Sequence, residues 1–194
     1  MKLDSTALDQ LFRHARSHNG WQQKDVPDSL LHELHEVMKW GPTSANCWPM
    51  RVVFVKSTAA KERLLSCMAE GNVDKARAAP VVAIIGMDMA FYDKLPTLFP
   101  YTDARAWFVG NQELVNTTAM RNSSLQGGYF MLAARALGLD CGPMSGFDNA
   151  KVDVEFFPGN MVLSNFICAL GYGDAAKLHP RSPRPEFDDV HRIV

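Results

Sequence analysis

Arg16 and Ser17 near the start of the chain, and Arg181 and Arg184 near its end, are residue types suited to holding an anion. A guanidinium keeps its charge at any physiological pH and presents a planar fork of N–H donors, and a hydroxyl adds a neutral donor. Three further segments set small or polar residues beside apolar stretches: Pro42-Thr43-Ser44-Ala45-Asn46, Gly71-Asn72 through Lys75, and Gly142-Pro143-Met144-Ser145-Gly146. Taken singly, each of these reads as a cap or a turn, and so does Arg16-Ser17-His18-Asn19. The formal net charge is -1, from 20 Lys plus Arg against 21 Asp plus Glu, so no general field draws in nucleic acid or an anionic membrane. Any anion must be held by local basic residues.

Side-chain catalysis leaves little trace. There is no GxGxxG turn after a first strand, no GxxxxGK[ST] phosphate loop, no HExxH and no GxSxG. His32, His35 and Glu36 share one helical face, but without a distant fourth ligand they read as a solvated surface rather than a metal site. Cys47, Cys67, Cys141 and Cys168 form no CxxC pair and are expected as reduced thiols; Cys67 and Cys168 sit among apolar neighbours as packing residues.

The elements that must position these segments follow from periodicity. The chain has 194 residues of which 47% are hydrophobic, enough for a core and a better fit to one domain, residues 1–194, than to two. Asp4 or Ser5 caps a first helix to about Ser17, and Asp28 caps a second through Met38 until Gly41 and Pro42 break it. Val52 to Val55 is a buried strand, Thr58 to Met68 a helix, Asn72 to Ala79 a shorter one, and VVAII after Pro80 a second strand. Residues 89–111, broken by Pro96 and Pro100 and rich in aromatics, suggest a lid or a partner-facing surface.

Gln112 to Leu137 is one long helix with Gly127 and Gly128 in its middle, which reads either as close backbone approach or as a tolerated defect. DCGPMSGFD is a loop, Asp148 to Phe157 a helix and Val162 to Leu170 a strand. The tail from Gly171, with Pro180, Pro183 and Pro185, extends across the body or a second subunit. The class is α+β or α/β with a small sheet flanked by helices. The opening MKLDSTALDQ has no apolar core for a signal peptide, and no apolar run approaches the roughly 20 residues that span a bilayer, so a soluble, cytoplasmic protein is expected.

In order and spacing, the polar segments resemble the flavin-binding set of the nitroreductase family, over about residues 8–190. The family's R-S-x-[RK] motif, which binds the phosphate and ribityl chain of FMN, corresponds to Arg16, Ser17 and Asn19. Its P-[ST]-S-x-N-x-Q-P-W motif, contributed by the other subunit, corresponds to Pro42, Thr43, Ser44, Asn46, Trp48, Pro49 and Met50. Gly71 and Asn72 match a pyrimidine-side G-N, with Lys75 beside them. Pro143 to Asp148 match P-x-[GES]-G-F-D, which aims backbone amides, here those of Ser145 and Gly146, at flavin N5 and O4. The tail's basic residues are Arg184 and Arg181.

This resemblance implies an α+β nitroreductase-like fold with a small central mixed or antiparallel sheet, a homodimer with an extended C-terminal tail, FMN as cofactor and NADH or NADPH as donor. MKWGPTSANC, ALGLD, GPMSGFD and GYGD are similar to the subgroup that reduces malonic semialdehyde in pyrimidine utilisation, which implies 3-hydroxypropionate as product. Arg105, Trp107 and Arg121, with Asp103, Asn122 and Ser123, are the candidate substrate residues, since an arginine suits a small carboxylate. A general nitro or quinone reductase, or a flavin-binding protein without turnover, are the alternatives. The chain departs from the pattern at Asn19, where a cation is usual, and at Trp48, where Gln is usual.

Overall fold

A computed structural model describes residues 1–159 and 161–194. Helix α1 (Ser5–Leu8) starts where Asp4 accepts from the Ala7 amide at 2.8 Å, and it widens into a π-helical turn over Asp9–Arg13. The helix expected to reach Ser17 stops short because the backbone there is claimed by a strand: Ser17 bridges to Cys141, and the His18 amide donates to the Cys141 carbonyl at 2.9 Å. Helix α2 (Asp28–Met38) buries Leu31, Leu34 and Met38, one face at helical spacing, and leaves Val37 exposed. Strand β1 (Met50–Val55), helix α3 (Thr58–Leu65, capped by Ser57) and helix α4 (Glu70–Ala78) follow. The helix expected from Asn72 to Ala79 thus begins two residues earlier, and Asn72 and Lys75 stand on it.

Strand β2 (Val81–Asp88) is buried along its whole length. Its side chains alternate: Val81, Ala83 and Ile85 enter a core with α2, while Val82 and Ile84 enter a second core with Leu64 and Leu65 of α3. Residues 89–111 hold a short helix, α5 (Leu95–Leu98), between 3-10 turns at Phe91–Lys94 and Ala104–Trp107. They are not a loose lid. Phe91, Leu95, Ala104 and Phe108 form a third core with Cys47, Met87, Val115 and Ala119, and the Phe91 and Phe108 rings meet edge to face at 4.9 Å. Tyr101 and Trp107 remain exposed.

Helix α6 (Gln112–Ala136) crosses the molecule from its Asn111 cap to Gly138, whose positive φ of 78° ends it. Strand β3 (Asp140–Met144), helix α7 (Asn149–Phe156) and strand β4 (Val162–Gly171) complete the body. Beyond a 3-10 turn at Ala175–Lys177 comes the tail, with helix α8 (Phe187–Val190) near its end; all of 179–194 is exposed. The sheet order is β1-β2-β4-β3 and every strand pairing is antiparallel. The Ser17–Cys141 bridge is parallel, which is as far as the expected mixed character goes.

β3 corrects the loop expected at DCGPMSGFD. It has no β-branched residue and carries Gly142 and Pro143, so intrinsic propensity gives no strand signal; its place at the edge of the sheet is what tolerates the proline. The two glycines of α6 also separate. A Cβ on Gly127 would lie 2.5 Å from the Phe166 ring, so that glycine admits β4, whereas a Cβ on Gly128 would meet open space. Among the described residues no helix is long and apolar enough to cross a membrane.

Phe130 joins α6 to the sheet: it is fully buried and its ring stacks on Phe54 at 6.2 Å. Phe130→Ala is expected to lower the free energy of unfolding by about 3–5 kcal/mol, read from a denaturant titration. A loss below about 1 kcal/mol would contradict this packing.

Candidate functional site

The loop after α1, the last turn of α6 and the tail meet in a cavity of about 580 Å³ lined by Arg16, Ser17, Asn19, Arg135, Arg181 and Arg184. All the anion-holding residues expected from the sequence are thus brought together. Backbone carbonyls hold the guanidinium groups in place. Arg181 donates to Arg13 and Ala15 at 2.9 and 3.1 Å, Arg16 to His179 at 2.5 Å, and Arg184 to Ser182 and Pro183, both at 3.0 Å. Arg13, which also lines the cavity, is paired with Asp9 at 2.7 Å, whereas Arg16, Arg135, Arg181 and Arg184 have no carboxylate partner among the described residues.

Arg135 went unnoticed in the sequence because a cation in the last turn of a helix reads as a partner for the helix dipole. Its Nη1 donates to the Leu11 carbonyl at 3.2 Å, and its buried Nε has no hydrogen-bond partner among the described residues. It brings into the cavity a guanidinium that Asn19 does not supply.

The cavity is fastened to β3 through Ser17 and His18, and β3 runs on into Ser145 and Gly146. That loop is clamped from several sides. The Gly146 carbonyl accepts the Ala69 amide at 3.0 Å and Asn72 Nδ2 at 3.1 Å, and the Asp148 amide donates to Cys67 at 2.8 Å while its carboxylate caps α7. A Cβ on Gly146 would lie 2.5 Å from Asn72 Nδ2 and would displace the amide that holds this loop. Among the described residues the Ser145 and Gly146 amides have no acceptor. Pro143, Met144 and Ser145 line a hollow of about 360 Å³ whose far wall is Ser124 and Gly128 of α6. Asn72 holds this loop, and Lys75 follows it one turn along α4, half-buried.

Pro42 to Asn46 lies elsewhere. Ala45, Asn46 and Trp48 all take left-handed φ values of 47°, 50° and 47°, a strained run for residues with side chains. Two polar side chains buried in α6 hold it: Asn122 Oδ1 accepts the Ser44 amide at 2.8 Å and Gln126 Oε1 accepts the Met50 amide at 3.0 Å. Thr43 Oγ1 accepts the Trp48 amide, and Asn46 donates to the Leu98 carbonyl. Pro42 and Asn46 border a separate hollow with Trp40 and Trp48, and none of the Pro42–Asn46 residues lines either the arginine cavity or the Ser145 hollow. One chain does not assemble the whole set.

The substrate candidates divide. Asn122 and Ser123 are buried and committed, Ser123 accepting from Asn165 at 2.7 Å, which removes both from contact with a substrate. Asp103 caps the 3-10 turn at Ala106, Arg105 is paired with Asp93 at 2.8 Å, and Trp107 is half exposed beside Phe99. Arg121 is exposed, has no carboxylate partner among the described residues, and shares a stripe of α6 with Ser124 and Gly128. His32, His35 and Glu36 gather no metal set among the described residues.

The four cysteines are all buried and free. Burial pushes the Cys47 thiol up to about 11, and the neighbouring Cys141 thiol together with burial pushes Cys168 up as well. A raised pKa keeps these groups protonated until the pH climbs past it, so neither is a nucleophile at neutral pH. At pH 8 the native protein should leave an aromatic disulfide reagent unreacted over minutes and consume it only after unfolding; rapid labelling of Cys47 in the folded protein would contradict the assignment.

Comparison with known proteins gives the family. Residues 13–172 match the Nitroreductase family. A Burkholderia lata protein named "Putative NADH dehydrogenase/NAD(P)H nitroreductase" is 63% identical over 191 residues, covering 98% of this chain and 98% of that protein. A Stenotrophomonas maltophilia protein of the same name is 60% identical over 192 residues, covering 99% and 98%. The crystal structure of a "putative nitroreductase in complex with FMN" from Exiguobacterium sibiricum superposes with a TM-score of 0.87 at 19% identity, covering 100% of this chain and 99% of that one. With residues 13–172 matched and relatives of 60% identity or more covering nearly the whole chain, this chain belongs to the nitroreductase family.

Proposed function

We propose that this chain is a cytoplasmic FMN-dependent oxidoreductase that takes its electrons from NADH or NADPH, with each flavin site built between two copies of the chain. The observation that carries the reading is the arginine cavity joined by β3 to a loop with two unspent amides. Positive charge without a carboxylate partner suits a phosphate dianion, and the orphaned Arg135 Nε adds a buried donor there. The open face of Gly128 and the hollow beside Ser145 give room for a flat ring. The residues therefore fit FMN. The Exiguobacterium sibiricum protein, whose structure is described as a complex with FMN, accords with this.

Arg16, Ser17, Asn19, Arg181 and Arg184 would hold the phosphate, with Arg135. Bound FMN would supply the redox centre, accepting a hydride from NAD(P)H and giving it to the acceptor. The Ser145 and Gly146 amides would be the donors for negative charge on the ring, and Lys75 with Asn72 would add a cation beside it. Met144 and Pro143 floor the hollow, and Pro42, Thr43, Ser44 and Asn46 of a second copy would cover it. No side-chain acid or nucleophile is needed, in keeping with thiols held protonated.

The two-copy reading rests on the separation of Pro42–Asn46 from the cavity and on an apolar stripe of α6, Leu114, Leu125 and Tyr129, left exposed. The exposed tail also supports it. Ile193 and Val194 are unburied, and a groove of about 730 Å³ beside edge strand β1, lined by Leu31, Leu34, Phe54 and Phe130 with Lys56 at its rim, would receive a partner's tail.

For the acceptor we favour a small carboxylated aldehyde such as malonic semialdehyde, reduced to 3-hydroxypropionate, with the uncommitted Arg121 binding the carboxylate. The apolar lining of the hollow by Met131, Met144 and Phe166 favours a second reading, a permissive nitro or quinone reductase.

Purified protein should show flavin absorbance, or gain it with FMN, and bleach when NADH or NADPH is added without oxygen; protein that takes up no flavin would end this reading, and bound flavin that no nicotinamide bleaches would leave a binding protein without turnover. Arg121→Ala should raise KM for the semialdehyde about tenfold or more while leaving a neutral quinone within about twofold. Equal effects on both acceptors would favour the permissive enzyme.

A further inference from the structure

His18 occupies the third position of the loop whose neighbours line the arginine cavity, yet it does not line the cavity itself. Its side chain is turned inward and buried. The imidazole Nε2 stands 3.3 Å from Asp140 Oδ1, and the other carboxylate oxygen, Oδ2, accepts the Gly173 amide at 2.8 Å. Asp140 is the first residue of β3 and Gly173 lies just past the end of β4, so one carboxylate ties the loop to both strands.

The surroundings are cut to this ring. A Cβ on Gly173 would fall 1.9 Å from His18 Nδ1, and a Cβ on Gly142 would fall 2.5 Å from the His18 carbonyl oxygen. Both glycines have negative or unremarkable φ, so the absence of a side chain serves the close approach rather than the backbone angle. Trp21, also buried, bridges to Gly173 and closes the far side with its ring 6.1 Å from the imidazole. A buried polar ring is costly unless its partners are fixed; His18 Nδ1 has no hydrogen-bond partner among the described residues and Nε2 faces Asp140, so an apolar side chain of similar size would fill the same slot at less cost.

We propose that His18 and Asp140 form a positioning pair that presents the Arg16-Ser17-Asn19 loop to the flavin phosphate; this rests on the reading of the arginine cavity given above. His18 touches no ligand. It fixes the register in which Ser17 meets Cys141, and through that register the angle at which Arg16 and Ser17 enter the cavity. Losing the pair leaves the chain folded around β3 but frees the loop to rotate, so the loss falls on the phosphate end of the ligand and spares the ring end, which Ser145, Gly146 and Asn72 hold separately.

Riboflavin, which has the same ring and ribityl chain without the phosphate, separates the two ends. Apoprotein of the wild type, His18→Leu, His18→Gln and Asp140→Asn would be titrated with FMN and with riboflavin, following flavin fluorescence, alongside thermal unfolding. The expected result is that His18→Leu and Asp140→Asn weaken FMN about tenfold or more while riboflavin stays within about twofold, and that His18→Gln, which keeps an N–H donor for Asp140, recovers part of the loss. Asp140→Asn, at a carboxylate 39% exposed, carries the test should His18→Leu fail to fold. An unchanged ratio of FMN to riboflavin affinity in variants that merely melt earlier would overturn the proposal and reduce the pair to a structural one. A wild type that binds riboflavin as tightly as FMN would instead overturn the reading of the arginine cavity, and this inference with it.

Discussion

Guanidinium groups from three distant parts of the chain, Arg16, Arg135 and Arg181 with Arg184, face one cavity with no acidic side chain to offset them. Like charges gathered in a partly buried space repel, and a bound anion would offset that repulsion. Much of the architecture follows from this constraint. The first helix ends early so that Ser17 can pair with β3, the tail folds back so that Arg181 can reach the carbonyls of Arg13 and Ala15, and α6 ends where Arg135 faces inward. β3 then carries the position of the cavity to Ser145 and Gly146, so the two ends of the candidate flavin site share one rigid strand.

Elements with a strong period were legible in advance. β2 reads as Val-Val-Ala-Ile-Ile and is buried on both faces, and the long helix of Gln112–Ala136 shows its length and its closing glycine directly. β3 was not legible, because Gly142 and Pro143 are chosen for the passage of His18 and for an edge position rather than for strand propensity. The anion-holding residues were visible as types, while Arg135 was hidden by its ordinary place at a helix end. Asn122 looked like a substrate residue and is a buried clamp; the available clue was the spacing of Thr118, Asn122 and Gln126, one turn apart on a face that runs on to Phe130.

The strained loop at Ala45, Asn46 and Trp48 shows the other side of the same economy. Three residues at positive φ persist because Asn122, Thr43 and Gln126 accept the amides of Ser44, Trp48 and Met50 within and beside the run, and the loop presents Pro42 and Ser44 outward, away from the cavity of their own chain. A site completed by a second copy, as proposed, would give that outward presentation a purpose and would put the open side of Gly128 and the exposed apolar stripe of α6 at a subunit contact.

Mixing protomers tests this most directly. Arg16→Ala combined with Arg181→Ala disables the cavity, and Ser44→Trp obstructs the covering loop; each variant alone should bind little FMN. Unfolded together and refolded, half of the resulting dimers would carry one variant of each kind, and in those one of the two sites would combine an intact cavity with an intact loop, restoring about a quarter of the wild-type FMN sites. Recovery near that level is the predicted result, and a mixture that binds no more FMN than the two variants measured apart would contradict a site shared between two chains.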